Sequence, residues 1–254
     1  MQLGVVTYLI VCPLVFCAGL VDAAAGGGGI ISLQAYILAG VPMHFALGTN
    51  KLSSVAGTTI AAARYYRNKL VDFGVCVPSV AAALAGSALG TSLTLLIDEN
   101  ILKRLLLFVI PLTAFYVFKN KNLSGDAAPP LRKRQILYAA LISFVVGVYD
   151  GFFGPGAGTF YILLYTGIAK IRPAVASGTA KFVNFASNFG ALVVFLLNGR
   201  VIIPLGICAG AFGMLGAYAG SGLVIHRGAK IIRPFILVVL ALLFGKIVYD
   251  FAAG

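Results

Sequence analysis

Charged residues are scarce in this chain. Asp, Glu, Lys and Arg make up 10% of its 254 residues, where a soluble domain carries roughly 25%. A soluble fold with an all-buried core is excluded on that ground. Histidine is rarer still: His44 and His226 lie far apart, at the edges of polar loops. The four cysteines, Cys12, Cys17, Cys76 and Cys208, stand inside apolar stretches and lack metal-ligand spacing. They read as small membrane-packing residues and say nothing of redox compartment. No Gly-x-Ser-x-Gly elbow is present, and no Gly-Lys-Ser/Thr follows the glycine-rich stretches. Neither a serine hydrolase elbow nor a Walker A loop is therefore encoded. The chain does not read as an enzyme, and no metal or cofactor is expected.

What fills the sequence is apolar. Hydrophobic residues make up 60% and the mean hydropathy is +1.01. Runs of the roughly 17–25 apolar residues that cross a bilayer cover most of the length, so the expectation is a multi-pass protein of the cell (inner) membrane, in contact with lipid. The net charge of +12 raises the alternative of nucleic-acid binding. The Lys and Arg cluster instead in short loops between apolar runs, where they orient a membrane protein. No basic patch is interleaved with aromatic residues, so no nucleic-acid partner is expected. The first apolar run followed by Ala23-Ala24-Ala25 resembles a signal peptide. No Lys or Arg precedes it, and a similar segment recurs mid-chain, so a retained helix is expected.

The chain says similar things twice. Asp22 and Gly26–Gly29 are answered by Asp150 and Gly154-Pro155-Gly156-Ala157, at an offset of 128 residues. Gly48-Thr49-Asn50-Lys51 is answered by Gly178-Thr179-Ala180-Lys181, and Gly86 and Gly90 by Gly216 and Gly220, at an offset of 130. A duplicated apolar unit with glycine breaks marks a secondary transporter. The expected fold is an all-α polytopic membrane protein of two pseudo-symmetric, inverted repeats. The first repeat spans 1–118, a cytoplasmic linker 119–134, and the second repeat 135–254. Each repeat has about five helical segments. In the first these are about 3–21, 29–41, 44–66, 70–97 and 101–118; in the second, about 135–149, 157–168, 173–197, 201–225 and 230–252. The second segment of each is short and follows a glycine-rich break. About 12 residues of helix rise only about 18 Å, too little for a core of about 30 Å. Broken or re-entrant helices are the reading, tolerated where the backbone is buried or lines a cavity.

Charge counting supports inversion. If all five segments cross, thirteen Lys and Arg fall inside and three outside, with both termini outside. If the short segments re-enter, the repeats are parallel and the counts are nine and seven. The positive-inside rule favours the first arrangement. Gly86-x-x-x-Gly90, Gly206-x-x-x-Gly210 and Gly216-x-x-x-Gly220 place small residues on one helix face for close packing. That packing falls within one chain or between two, so a homodimer is compatible with it.

Lys51 and Lys181 are the sharpest functional candidates. Each sits inside an apolar segment, after the same Gly-Thr, away from the basic loops. A charge at membrane depth is costly and faces a cavity or a partner; snorkelling to an interface is the alternative. Thr49, Asn50, Thr179, Asn184 and Asn188 give the same helices polar neighbours. Gly27, Gly28 and Gly29, and Gly156 and Gly158, precede short helices whose N-termini offer free N–H groups and a partial positive charge. Glycine lets a ligand approach the backbone closely. Together these residues are read as the binding site for a small anion. Asp22 and Asp150, just before the breaks, are candidates for ion pairing or coupling.

Gly26–Gly29 followed by Ile30-Ile31, Gly40-Val41-Pro42, Ala46-Leu47-Gly48-Thr49-Asn50 and Arg64-Tyr65-Tyr66-Arg67 resemble the sulfite exporter TauE/SafE family, also called the toluene-sulfonate uptake permease family. The resemblance covers essentially the whole chain. It implies transport of sulfite or of organosulfur anions such as sulfoacetate or other sulfonates. The second copy departs from the first: Pro155 replaces a glycine and Ala180 replaces Asn50, so the site is pseudo-symmetric at best. The leading expectation is a secondary transporter for a small sulfur-containing anion, thiosulfate included, working by alternating access. An anion channel and a non-transporting scaffold subunit are the alternatives.

Overall fold

Glycine, proline and asparagine punctuate eight helices in the computed structural model, which describes residues 4–98, 101 and 131–227. Among the described residues the fold is all helical. Helix α1 (Val5–Ala25) ends where Gly26 adopts the left-handed conformation, φ 81°, and donates back to the Asp22 carbonyl. After Gly27, α2 (Gly28–Leu38) is only 11 residues long, a rise of about 16 Å. Helix α3 (Met43–Arg67) starts after Pro42. Helix α4 (Phe73–Leu95) is capped by the Asp72 carboxylate, which accepts from the Gly74 and Val75 amides. In the second half, α5 (Arg132–Phe152) is followed by the short α6 (Ala157–Gly167). Helix α7 (Pro173–Leu197) has its proline in the first turn, where no N–H is missed. Helix α8 (Ile203–Arg227) closes the described chain.

These bounds lie within a few residues of those expected, with one informative difference. Helix α1 runs on to Ala25, because Ala23–Ala25 are strong helix formers and the chain breaks only at Gly26. Helix α5 runs through Gly151 to Phe152 and breaks before Gly154. Asp22 and Asp150 therefore sit in the last turns of their helices rather than between elements. The expected segments 101–118 and 230–252 and most of the linker lie outside the described residues. So do Lys103, Arg104, Lys119, Lys121, Lys230 and Arg233, which enter the charge count.

The bundle has apolar side chains both in its core and on its outer faces, and buries polar groups within that core. Apolar side chains such as Leu9, Val77, Val145, Ile207 and Leu215 point outward, while Lys51, Asp150, Lys181, Asn184 and Asn188 are buried. Five helices, α1, α4, α5, α7 and α8, are long and apolar enough to cross a membrane by length and composition. Helix α3 has the length, with 25 residues, but its Thr49-Asn50-Lys51 and later Ser and Thr residues dilute its apolar content. Thr49, Asn50, Lys51, Ser53 and Thr58 are buried in the interior, where polar groups at membrane depth find partners. Thr59 is exposed and bonds the Val55 carbonyl of its own helix.

Glycine sets the helix spacing. Helix α4 packs on α5 and α7, and α8 packs on α1 and α3. A Cβ at Gly86 or Gly90 would land on the Phe144 or Val148 carbonyl oxygen of α5; at Gly216 or Gly220 it would land on that of Phe16 or Leu20 of α1. The stripes at 86/90 and 216/220 are thus consumed inside one chain. Gly206 and Gly210 likewise meet Leu52 and Ala56 of α3.

Candidate functional site

The site forms where α1 and α5 end. The last four carbonyls of a helix have no partner within it, and here both ends are buried. Nearly every carbonyl finds a donor from elsewhere in the chain. In α5, the Tyr149 carbonyl accepts from the amides of Phe153 and Gly154. The Asp150 carbonyl accepts from Lys51 Nζ. Thr91 serves the Gly151 carbonyl and Thr94 that of Phe152. In α1, Gly26 N–H and Lys181 Nζ serve the Asp22 carbonyl. The Tyr65 hydroxyl serves Ala23, and Thr159 Oγ1 serves Ala25. Thr159 N–H donates to the Gly26 carbonyl as well, and a Cβ at Gly158 would strike Gly26 at 2.6 Å. The two glycine breaks therefore touch directly, backbone against backbone.

Each lysine reaches the acid of the other half. Lys51 Nζ stands 2.7 Å from Asp150 Oδ1, with both side chains 3% exposed. Lys181 Nζ stands 3.0 Å from Asp22 Oδ2, its own side chain 1% exposed and that of Asp22 20%. An acid in a helix's last turn is opposed by the helix dipole, and the lysine offsets this by binding both carbonyl and carboxylate. Lys51 also donates to Asn188 Oδ1 at 3.0 Å. Ser187 Oγ donates to Asp150 Oδ2 at 2.5 Å, and Asn188 Nδ2 to the Asn184 carbonyl at 2.9 Å. Snorkelling is ruled out for both lysines: neither ammonium reaches a surface.

A cavity opens beside these pairs. Of the residues singled out in the sequence, Asp22, Gly28, Gly29, Asn50, Lys51, Asp150, Gly158, Asn184 and Asn188 line it. Neither α2 nor α6 has a side-chain cap on its N-terminus, so the amides of Gly28, Gly29 and Gly158 are available there. Asn50 Oδ1 is buried and has no hydrogen-bond partner. Its amide can turn an acceptor or two donors toward a ligand. Gly27, Thr49, Gly156, Thr179 and Lys181 are not in the lining. Thr49 Oγ1 accepts from the Ile202 amide and Thr179 Oγ1 from the Asp72 amide, so both hydroxyls tie down loops. Gly156 holds the left-handed turn before α6. Sequence reading missed the walls formed by Val15, Ala18 and Gly19 of α1, Ser32 of α2, and Gly213 and Ala217 of α8. Only Gly213 carried a signal, as a small residue on the Gly206–Gly220 face.

A bundle with apolar outer faces, buried ion pairs and a polar cavity between broken helices defines a multi-pass membrane transporter. The chain belongs to the sulfite exporter TauE/SafE family, whose model matches residues 11–247. It is 34% identical to a probable membrane transporter protein of Haemophilus influenzae, over 98% of both chains. It is 36% identical to the probable membrane transporter protein ORF9 of a Sinorhizobium species, over 88% of this chain and 85% of that one. To the probable membrane transporter protein YfcA of Escherichia coli K12 it is 35% identical, over 92% of this chain and 86% of that one. No solved structure matches the chain.

Proposed function

We propose that this transporter moves a small sulfur-containing anion, namely sulfite, thiosulfate, sulfoacetate or another organosulfonate, by alternating access between two inverted repeats, 1–118 and 135–254. One observation carries the reading: Lys51 and the acids of both buried pairs, Asp22 and Asp150, line one cavity, and each acid is held by a lysine from the other half of the chain. The uncapped N-termini of α2 and α6 add donors for an anion, and the Asn50 amide, whose Oδ1 has no partner, can turn its NH2 toward one. The family's description, sulfite exporter, supports sulfur oxyanions as the substrate class. Two halves joined across a cavity by a few ion pairs can rock against one another. The charge count favours a cytoplasmic linker at 119–134 and both termini outside.

Flux of labelled sulfite, thiosulfate and sulfoacetate into proteoliposomes tests the proposal. Saturable flux of at least one is expected, reduced at least tenfold by Lys51→Ala and by Lys181→Ala. Undiminished flux in both variants would sink the anion site. A cytoplasmic reporter fused at Gly254 should be inactive; activity there would reject inversion.

A further inference from the structure

An ammonium group has three hydrogens to donate, and Lys51 has committed all of them. Two go to Asp150, to its carbonyl and to Oδ1, and the third to Asn188 Oδ1. In this arrangement Lys51 has nothing left for a substrate, although it lines the cavity. An anion must therefore displace an acceptor. Two of the three are neutral and fixed on helices. The Asp150 carboxylate is the charged one, and it competes for the same cation.

We infer that the Lys51–Asp150 pair couples transport to protons: an arriving anion takes Lys51 from Asp150, and the released carboxylate binds a proton. The inference rests on the anion-transport reading. Its balance is simple. One N–H···O bond to carboxylate is exchanged for one to substrate, and a solvent proton forms an O–H on Asp150. No net charge is left unpaired in the buried site.

Among the described residues, the helices packed on α5 bring the carboxylate no other free cation. Helix α5 packs on α4, α6 and α7. Helix α4 brings only the neutral Cys76 as a titratable group, and α6 brings Tyr161 and Tyr165. From α7 come Ser187, which holds Oδ2, and Lys181, already engaged by Asp22. A buried charge with no partner at such a place is costly. The two pairs are not equivalent. At the offset of 130, Ser187 and Asn188 correspond to Gly57 and Thr58. Glycine has no side chain to offer, and Thr58 Oγ1 donates to the Ser54 and Val55 carbonyls of its own helix, so the Asp22 pair lacks the polar contacts that hold the Asp150 pair. Coupling is assigned to Asp150 for that reason.

The test uses the full chain in proteoliposomes, with thiosulfate and ethanesulfonate as probes. Both anions stay fully ionised around neutrality, so any pH dependence belongs to the protein. An internal pH dye should record one proton entering with each anion. Affinity should rise by up to about tenfold for each pH unit lowered. Asp150→Asn should take up anion without a proton and lose the pH dependence. Anion uptake by the wild type without proton movement overturns the inference and leaves the anion reading standing. Coupled uptake in Asp150→Asn overturns it equally. Absence of flux for both probes sinks the anion reading and the inference with it. Should Asp150→Asn fail to fold, the wild-type proton count decides alone.

Discussion

Lys51 Nζ binds Asp150 twice, at its carbonyl and at its carboxylate, each at 2.7 Å. Lys181 does the same to Asp22 from the opposite half of the chain. Each lysine therefore closes the C-terminus of a helix that is not its own and neutralises an acid there. The halves hold each other's helix ends.

Removing one partner of such a pair leaves a buried charge alone. Lys51→Ala is expected to destabilise the protein by about 3–5 kcal/mol. Asp150→Asn in the same background should recover part of that loss, because the stranded charge is gone. Unfolding in a denaturing detergent, measured for both singles and the double, gives the coupling. Additive losses would mean that the two groups do not interact.

The helices were legible in the sequence because apolar run length and glycine breaks record a bilayer directly. The lysines were legible too, since a charge inside an apolar run has few uses. The Lys–Asp pairing was not. Lys51 and Asp150 are nearly a hundred residues apart, and neither carries a local mark of its partner. Thr49 and Thr179 misled for a related reason. Their place beside Asn50 and Lys181 looked functional, yet each points away to a loop amide. The cavity walls on α1 and α8 are Val, Ala and Gly, residues that any membrane helix uses.

A third ion pair, outside the membrane-spanning segments at its acidic end, gives a pH dependence. Asp72 caps α4 and meets Arg132 at 2.5 Å. The hydrogen bonds from Arg132 hold the Asp72 carboxyl below its usual value, helped by the charge of Arg132 and the Val75 and Gly74 amides, and opposed by partial burial. A carboxyl lowered by folding adds stability above its unfolded value and loses it as pH falls through its folded one. Asp72→Asn keeps the helix cap and removes the charge. At neutral pH it should cost less than about 1 kcal/mol, since the pair is partly exposed. The difference from wild type should shrink as pH falls below about 3.9. Thermal unfolding at neutral and acid pH measures it; a difference that grows in acid would reverse the sign and refute the assignment.

Cys12 of α1 and Cys208 of α8 approach to 3.4 Å between sulfurs. Both are free thiols, as are Cys17 and Cys76. Mild oxidation should join Cys12 to Cys208 within one chain and leave Cys76 unlinked. Mass mapping of the cross-linked peptides reads this directly. A Cys12 link to Cys12 of another copy would contradict the packing of α1 on α8.

The glycine contacts predict which substitutions the bundle tolerates. At Gly90 and Gly220 an added Cβ falls on a backbone carbonyl oxygen of the facing helix, Val148 or Leu20. Backbone cannot rotate away as a side chain can, so the helices must part and lose contacts along their length. Gly167, at the end of α6, has nothing within 4 Å of the same added atom. Gly90→Ala and Gly220→Ala should each destabilise by about 1–3 kcal/mol, the usual range for overpacking. Gly167→Ala should stay within about 0.5 kcal/mol of wild type. Because α4–α5 and α8–α1 are separate contacts, the two losses should add in the double variant. Equal stability of all three single variants would mean that α4 and α8 do not approach their partners through these glycines.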